Sequence, residues 1–411
     1  MLSTALRILT RCWPMLLAWF LLGWTVRALV LRVAGYLGNI GDLWGQLVLP
    51  LAIVAQLATF VAMYLAIRRE LPHLGRADAA RPDEVAPSPA RAWSETLLAS
   101  ILPFFLLYVA WNLIRDDWVD YYLSTTTQDN FLDDPTGPDV SVNVVTVSLV
   151  VIAFLLRWLA ARFSDRLPRW TRALGIYLEA VWVLIALLVI RDLLTGLGGW
   201  LATRRMFGWG VDAWAQLRET FAWLATVGDL IGWVFGQIGT LIGLPLAWLA
   251  LASIIYFGTM PRSVRPGPGA VSTASARWSR MPEWVQRGGT LLSGGILDRW
   301  RPVGLAARLI WRSGPIAIGG YLLSFAVLTA SSEWLRMLVY RLVGPHEVNW
   351  WYGASDAIGL GISAIVGVVQ VCLVAATFDY ALRGDAATRL VEDAGDVINE
   401  AAEPSAERRT N

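Results

Sequence analysis

The sequence predicts an all-α, polytopic integral membrane protein with eight transmembrane helices in four helical hairpins and an outer amphipathic helix. Hydrophobic residues make up 56% of the 411 residues and charged residues only 16%, whereas soluble domains are about one quarter charged. Apolar runs of about 20 residues, enough to cross about 30 Å of hydrocarbon, recur along the whole length. They must be helical, because lipid offers backbone amides no partner and no alternating barrel pattern is present.

Eight segments meet these requirements. The first follows a basic start that resembles a signal peptide, but no small-residue cleavage site follows in range, so we expect it to be retained as a span. In chain order the predicted spans are 13–33, 49–67, 96–114, 141–161, 173–194, 240–258, 315–340 and 357–381.

Arginine placement predicts the orientation. All 34 basic residues are arginine, and with both termini in the cytoplasm 25 of them fall in cytoplasmic segments and nine in outer segments. The positive-inside rule therefore predicts a multi-pass protein of the cytoplasmic membrane with both termini inside.

The spans and their connections divide the chain into seven parts. Hairpin 2 carries an acidic outer loop, and hairpin 3 an amphipathic outer helix at about 206–235. The predicted parts are hairpin 1 (1–69), a cytoplasmic linker (70–92), hairpin 2 (93–163), hairpin 3 (164–260), a basic cytoplasmic loop (261–300), hairpin 4 (301–383) and a partly disordered cytoplasmic tail (384–411).

Short echoes suggest an internal repeat. The segment 41–52 shares Gly-Asp-Leu, Gly-Gln and Leu-Pro-Leu-Ala with 228–247, and 11–22 resembles 312–323. Duplicated hairpins of one orientation imply a pseudosymmetry axis along the membrane normal; chance matches between apolar segments are the alternative. Pro50 either lies in a first helical turn or kinks a helix that begins at Asp42.

A second helical pattern lies in the outer segment of hairpin 3. Apolar residues fall at steps of three and four, which defines one helical face. We expect this amphipathic helix to lie on the outer leaflet or to cap the bundle. The face comprises Phe207, Val211, Trp214, Leu217, Phe221 and Leu224.

The outer loop of hairpin 2 is rich in aspartate. Calcium binds such oxygen clusters, but the spacing, glycine and closing glutamate of an EF-hand are missing. We therefore expect a solvated, negative loop that offers a docking face to a cationic partner. The aspartates are Asp116, Asp117, Asp120, Asp129, Asp133, Asp134 and Asp139.

Three polar residues of the spans, with one arginine, are candidate site residues. Glu179 lies well inside span 5, and Arg157 lies at similar depth in span 4 across a short turn, so we predict a contact between them. An interhelical ion pair is the favoured interpretation, and a proton or cation site the alternative. Gln56 and Gln370 are expected to hydrogen-bond between helices, with a polar substrate contact as the alternative.

Other features of the spans have plainer explanations. Arg27 and Arg32 close span 1, and we expect them to snorkel to the outer surface. Glycines in spans 7 and 8 are expected to let helices approach closely, with a substrate-gated hinge as the alternative. They are Gly314, Gly319, Gly320, Gly353, Gly359, Gly361 and Gly367.

Few residues suited to catalysis or metal binding are present. The chain has two cysteines and two histidines, Cys12, Cys372, His73 and His346, without metal-ligand spacing. Nucleotide-binding and hydrolase motifs are missing. We predict no metal, no cofactor, no catalytic residue and no nucleic-acid partner.

These features favour a non-enzymatic accessory or scaffold subunit of a membrane assembly. Its expected partners are the lipid bilayer and another membrane or cell-envelope protein. One alternative is a transporter or channel with a pathway between parallel repeats, lined by Glu179, Gln56 and Gln370. A weaker alternative is a lipid-modifying enzyme that uses aspartates at the outer interface.

Overall fold

In the structure, a computed structural model, the regular secondary structure of the described residues is entirely helical, with no strand there. The predicted all-α class is therefore confirmed for this part of the chain. The described residues are 1–40, 42–74, 89–111, 113–114, 117, 119, 121, 144–162, 171–204, 226, 229–230, 232–233, 236–237, 239–259 and 314–407.

Eight α-helices are described. A short 3₁₀ turn, Arg68–Glu70, follows the second helix, and a π-helical turn, Gly239–Gly243, precedes the sixth. The helices are α1 (Leu2–Ile40), α2 (Asp42–Ile67), α3 (Pro89–Ala110), α4 (Val144–Arg162), α5 (Thr171–Ala202), α6 (Leu244–Thr259), α7 (Pro315–Val343) and α8 (Val348–Glu407).

Among the described residues, seven helical segments are long and apolar enough to cross a membrane. This character is compatible with a multi-pass membrane protein. α4 has 19 residues and its side chains are described only in part, so the eighth span stays a prediction. The seven segments are Leu2–Ile40, Leu47–Glu70, Trp93–Ala110, Ala173–Leu201, Gly239–Tyr256, Pro315–Val343 and Val348–Arg383.

Several helices are longer than the spans that their apolar runs predict. α1 has 39 residues, which at about 1.5 Å per residue gives about 58 Å, against about 30 Å of hydrocarbon. α8 runs to Glu407, where a partly disordered tail was expected. Alanine, leucine, arginine and glutamate are strong helix formers, so the helical backbone continues beyond the apolar residues.

The two echoed segments differ in structure. α1 and α2 are separated by residue 41 alone, and Pro50 lies inside α2 because that helix begins at Asp42. Pro245, in contrast, is the second residue of α6. The π-helical turn before α6 begins at Gly239. The carbonyl of Gly239 accepts a hydrogen bond from the Trp111 indole N–H at 3.2 Å.

The chain forms two compact units. The first unit comprises Met1–Ala18, Met63–Ser88 and Trp248–Asn411. Aromatic rings fill its core: Tyr64 meets Tyr256 edge-on, with 5.8 Å between ring centroids, and Tyr256 stacks on Phe378 at 5.1 Å. α7 packs against α8, its successor in the chain.

The second unit comprises Trp19–Ala62 and Pro89–Ala247, and within it α5 packs against both α3 and α4. Phe60 and Phe104 lie 6.3 Å apart between ring centroids, so α2 and α3 also meet. These packings place the polar side chains described below. The arrangement of all the spans as four hairpins stays a prediction.

Candidate functional site

The second unit contains the ion pair that the sequence predicts. The Arg157 guanidinium of α4 contacts the Glu179 carboxylate of α5, with the Glu179 side chain 3% exposed and that of Arg157 26% exposed. The indole N–H of Trp182 donates a second hydrogen bond to Glu179, at 3.2 Å. The Arg157 guanidinium carbon also lies 5.6 Å from the Trp182 ring centroid, a cation–π distance.

This arrangement explains how a carboxylate lies buried between two apolar helices. An ionised carboxylate inside a membrane is costly unless a partner matches its charge. Arg157 supplies that charge, and Trp182 gives one further donor. The contacts therefore hold α4 against α5, which is what the structural interpretation of Glu179 requires.

A second buried ion pair, which the sequence did not predict, joins Arg27 of α1 to Asp117. The Asp117 side chain is fully buried and that of Arg27 is 17% exposed. The expectations that Arg27 snorkels to the surface and that Asp117 belongs to a solvated loop are therefore wrong. The physical reason is that each charge finds its opposite within the fold, where pairing replaces hydration.

Hydrogen bonds extend this pair into a polar network. The Tyr108 hydroxyl donates to Asp117 Oδ2 at 2.5 Å and lies 3.4 Å from Gln56 Oε1. Gln56 of α2 and Tyr108 of α3 thus lie within hydrogen-bonding distance of each other. Beside the network is a cavity of about 50 Å³. Its lining residues are Phe20, Gly23, Trp24, Arg27, Gln56, Thr59 and Phe60.

The network fixes the segment that follows α3 against α1. Tyr121 lies in this segment, and its hydroxyl oxygen would be only 2.3 Å from a Cβ placed at Gly45. Glycine at 45 therefore allows α2 and Tyr121 to approach closely. A cavity of about 50 Å³ has room for ordered water, which needs polar partners such as the Arg27, Gln56 and Thr59 side chains.

The first unit contains a third buried carboxylate, Asp379 of α8. Its Oδ1 accepts hydrogen bonds from the backbone N–H groups of His73 at 2.9 Å and Leu74 at 3.1 Å. Its Oδ2 lies 2.8 Å from His73 Nδ1. The segment after α2 is thereby fixed to the last helix. Sequence reasoning missed Asp379, although the residue lies two positions before the end of predicted span 8 and His73 is one of only two histidines.

The other predicted site residues have different outcomes. Gln370 is half-buried on α8 in the first unit, whereas Gln56 belongs to the second. The hydrogen bond between helices that is expected of Gln370 stays a prediction. The remaining aspartates of the acidic loop and the amphipathic face lie outside the described residues: Asp116, Asp120, Asp129, Asp133, Asp134, Asp139, Phe207, Val211, Trp214, Leu217, Phe221 and Leu224.

Candidate metal ligands are sparse in the part of the chain that the structure describes. No group of three or more histidine, cysteine, aspartate or glutamate side chains there could hold a metal ion. Cys12 and Cys372 are both buried free thiols of the first unit.

Several glycines of α7 and α8 have open space around them, as glycines of α5 also do. A Cβ added at Gly319, Gly320, Gly353, Gly359 or Gly361 would have no heavy atom within 4 Å. The expectation that these glycines pack helices together is therefore wrong for contacts among the described residues. Among its residues α7 buries only Tyr321 and Phe325, so the described residues leave most of its surface uncovered. We refer to these five positions on the two helices together as the glycine face.

Comparison with known proteins identifies no relative: the chain matches no family model, and no similar curated protein or solved structure is found for it.

Proposed function

We propose that this chain is a non-enzymatic, multi-pass protein of the cytoplasmic membrane that acts as an accessory or scaffold subunit of a membrane assembly. In this proposal it crosses the membrane eight times, as four hairpins, and has both termini in the cytoplasm. The proposed partner is another membrane or cell-envelope protein.

The glycine face of α7 and α8 is the observation that carries the proposal. In a bilayer, helices associate where small residues let their backbones approach, because lipid tails provide no hydrophobic driving force between helices. Gly319 and Gly320 on α7, and Gly353 and Gly361 on α8, are exposed with open space around them. A transmembrane helix of a partner would find room there for close packing.

The polar residues of the spans support the same function. Glu179 is paired with Arg157, and Gln56 lies within hydrogen-bonding distance of Tyr108. These contacts join neighbouring helices, as expected of a rigid subunit. A transport pathway would instead need those side chains to face a continuous hydrated channel. The acidic loop and the predicted amphipathic helix are further proposed contact surfaces, for parts of the partner outside the hydrocarbon.

Affinity purification in a mild detergent tests this function. We expect the tagged protein to bring down one partner in a fixed molar ratio. Gly320→Leu combined with Gly361→Leu fills the space that a partner helix would occupy, so the recovered partner should fall at least about tenfold, since about 1.4 kcal/mol of lost packing gives that factor.

The matched control is Gly196→Leu combined with Gly199→Leu on α5, two exposed glycines that also have open space around them, and it should leave recovery unchanged. All variants are first compared for expression and for a single symmetric peak in size-exclusion chromatography. The scaffold proposal fails if the wild-type protein recovers no stoichiometric partner, both after detergent extraction and after cross-linking in intact cells.

A further inference from the structure

A cleft of about 350 Å³ opens where α7 turns into α8. Tyr340 of α7 and Val348, Trp351 and Ser355 of α8 line it. The Tyr340 and Trp351 rings lie 5.1 Å apart between centroids and are inclined at 73°. The two aromatic rings of the lining are therefore nearly perpendicular, and Val348 and Ser355 complete the lining.

The turn between α7 and α8 fixes the Tyr340 and Trp351 rings in place. Gly344 has a φ of 76° and its N–H donates to the Tyr340 carbonyl, which ends α7 just beyond that ring. His346 then stacks on Trp350 with 4.2 Å between ring centroids, and Trp350 meets Trp351 edge-on at 5.0 Å. Contacts among aromatic rings thus hold Trp351 in position without any ligand, which reduces the cost of ordering the site on binding.

We propose that this cleft binds a quaternary ammonium group. Such a cation is attracted to the negative faces of aromatic rings, and cages of perpendicular rings are a common way to bind it. Tyr340 and Trp351, which are in edge-to-face contact, supply the aromatic part of the lining, and Val348 and Ser355 complete it.

The residues that adjoin the cleft in sequence carry charges of both signs. Glu347 and Asp356 adjoin lining residues of α8 in the sequence, and Arg341 adjoins Tyr340 on α7. The end of α7 carries partial negative charge and the start of α8 partial positive charge. Because the helices are antiparallel neighbours, these two contributions largely cancel.

The length of α7 places the cleft near the membrane surface. α7 has 29 residues, which at about 1.5 Å each gives about 44 Å, about 14 Å more than the hydrocarbon thickness. The cleft can therefore meet quaternary ammonium from two sources, a lipid headgroup or a free solute. The common alternative for tryptophan and tyrosine at this depth is an interfacial belt that binds no ligand.

Equilibrium dialysis with radiolabelled choline tests the site. The full-length protein is purified in a maltoside detergent, which has no quaternary ammonium group. We expect saturable binding, displaced by tetramethylammonium but not by 3,3-dimethylbutan-1-ol, which has the same shape without the charge. Trp351→Ala should weaken binding by about fivefold, the effect of about 1 kcal/mol of cation–π energy, and the double variant Tyr340→Ala with Trp351→Ala by more.

Two further variants separate ligand binding from folding. Trp351→Phe keeps a ring and should bind more tightly than Trp351→Ala. Trp334→Ala removes a tryptophan of α7 that is 71% exposed and does not line the cleft, so its choline binding should equal that of the wild type.

A vesicle experiment distinguishes the two sources of quaternary ammonium, a lipid headgroup and a free solute. Protein reconstituted with phosphatidylcholine should bind less added choline than protein in phosphatidylethanolamine, which is also zwitterionic but has no quaternary ammonium group, if the lipid headgroup occupies the cleft, and equal amounts if a free solute does. The proposal is wrong if the uncharged analogue competes as well as tetramethylammonium, or if Trp351→Ala binds choline as tightly as Trp334→Ala. Either result leaves the scaffold function untouched, because recovery of a protein partner is a separate measurement.

Discussion

Buried carboxylates illustrate what a single residue needs in order to lie inside this protein. Glu179 faces Arg157, Asp117 faces Arg27, and Asp379 accepts hydrogen bonds from two backbone amides and contacts His73. In each case the carboxylate meets hydrogen-bond donors from another segment of the chain, because an unpartnered carboxylate in an apolar surrounding is costly.

The Glu179 pair makes a residue-scale prediction. Glu179→Gln leaves the Arg157 guanidinium without its carboxylate, and loss of one partner of a buried pair typically costs about 3–5 kcal/mol. Arg157 is a quarter exposed and can turn toward headgroups or water, so we expect a smaller loss, about 1–2 kcal/mol. Thermal unfolding in detergent should show a Tm several degrees below that of the wild type.

The control for this experiment removes both charges. Arg157→Leu combined with Glu179→Leu leaves no unpaired charge, and apolar replacement of a buried pair is often neutral or stabilising. The double variant should recover most of the lost Tm. A Glu179→Gln protein as stable as the wild type would show that the pair does not hold α4 to α5.

A contact between two charged residues could be predicted from the sequence where both lie on consecutive helices. Glu179 and Arg157 lie in consecutive helices at similar distances from one short turn, so their depth could be matched by counting. Arg27 and Asp117 are 90 residues apart, and only the packing of α1 beside the segment after α3 brings them together. Hydropathy gives no information about such a contact, and Asp117 looks like a loop residue because it follows Asp116.

At the scale of the helices, α1 and α2 are separated in sequence by residue 41 alone, and they approach each other closely at Gly23. A Cβ placed there would be 1.7 Å from Thr59 Oγ1 and 2.6 Å from Thr59 Cβ. Rotation of the Thr59 side chain cannot relieve the second distance, so the two helix backbones would have to separate. Gly175 of α5 provides a contrast, because a Cβ there would meet no atom within 4 Å.

These two glycines allow a matched comparison. Gly23→Ala should lower Tm although alanine is the better helix former, because separation of the helices loses packing that is worth about 1–3 kcal/mol. Gly175→Ala should be neutral or stabilising by up to about 1 kcal/mol, the propensity difference alone. Thermal unfolding of both variants gives the comparison.

Removal of the obstructing side chain provides the rescue experiment. Gly23→Ala combined with Thr59→Gly exchanges the small residue between the helices and should restore part of the lost Tm. Equal Tm values for Gly23→Ala and Gly175→Ala would contradict the close packing of α1 on α2.

Helices as elements were predicted better than their ends. Each described helix contains one of the eight predicted apolar runs, or most of it, because the hydrophobic effect alone decides which segments enter lipid. The ends depend on local backbone chemistry. α7 stops where Gly344 adopts a φ of 76°, whereas nothing in the apolar pattern indicates that α1 begins at Leu2 or that α8 reaches Glu407.

For the whole molecule, the number of membrane crossings determines whether the two termini lie on the same side of the membrane. The described residues contain seven candidate spans, and an odd number would place the termini on opposite sides of the membrane. Arginine placement instead predicts both termini in the cytoplasm, which requires an even number. α4, with 19 residues, is the segment that would make eight.

Labelling on either side of α4 tests this count directly. In a background with Cys12→Ser and Cys372→Ser, we expect a membrane-impermeant maleimide to label Asp139→Cys in intact cells. Asp165→Cys, between α4 and α5, and Asp385→Cys, in the tail, should react only after permeabilisation, because the arginine-rich segments stay inside. Glu347→Cys, in the α7–α8 turn, is the external control. If 139 and 165 react from the same side, α4 does not span. An odd number of crossings would then put the two termini on opposite sides, and the arginine distribution would no longer account for the fold.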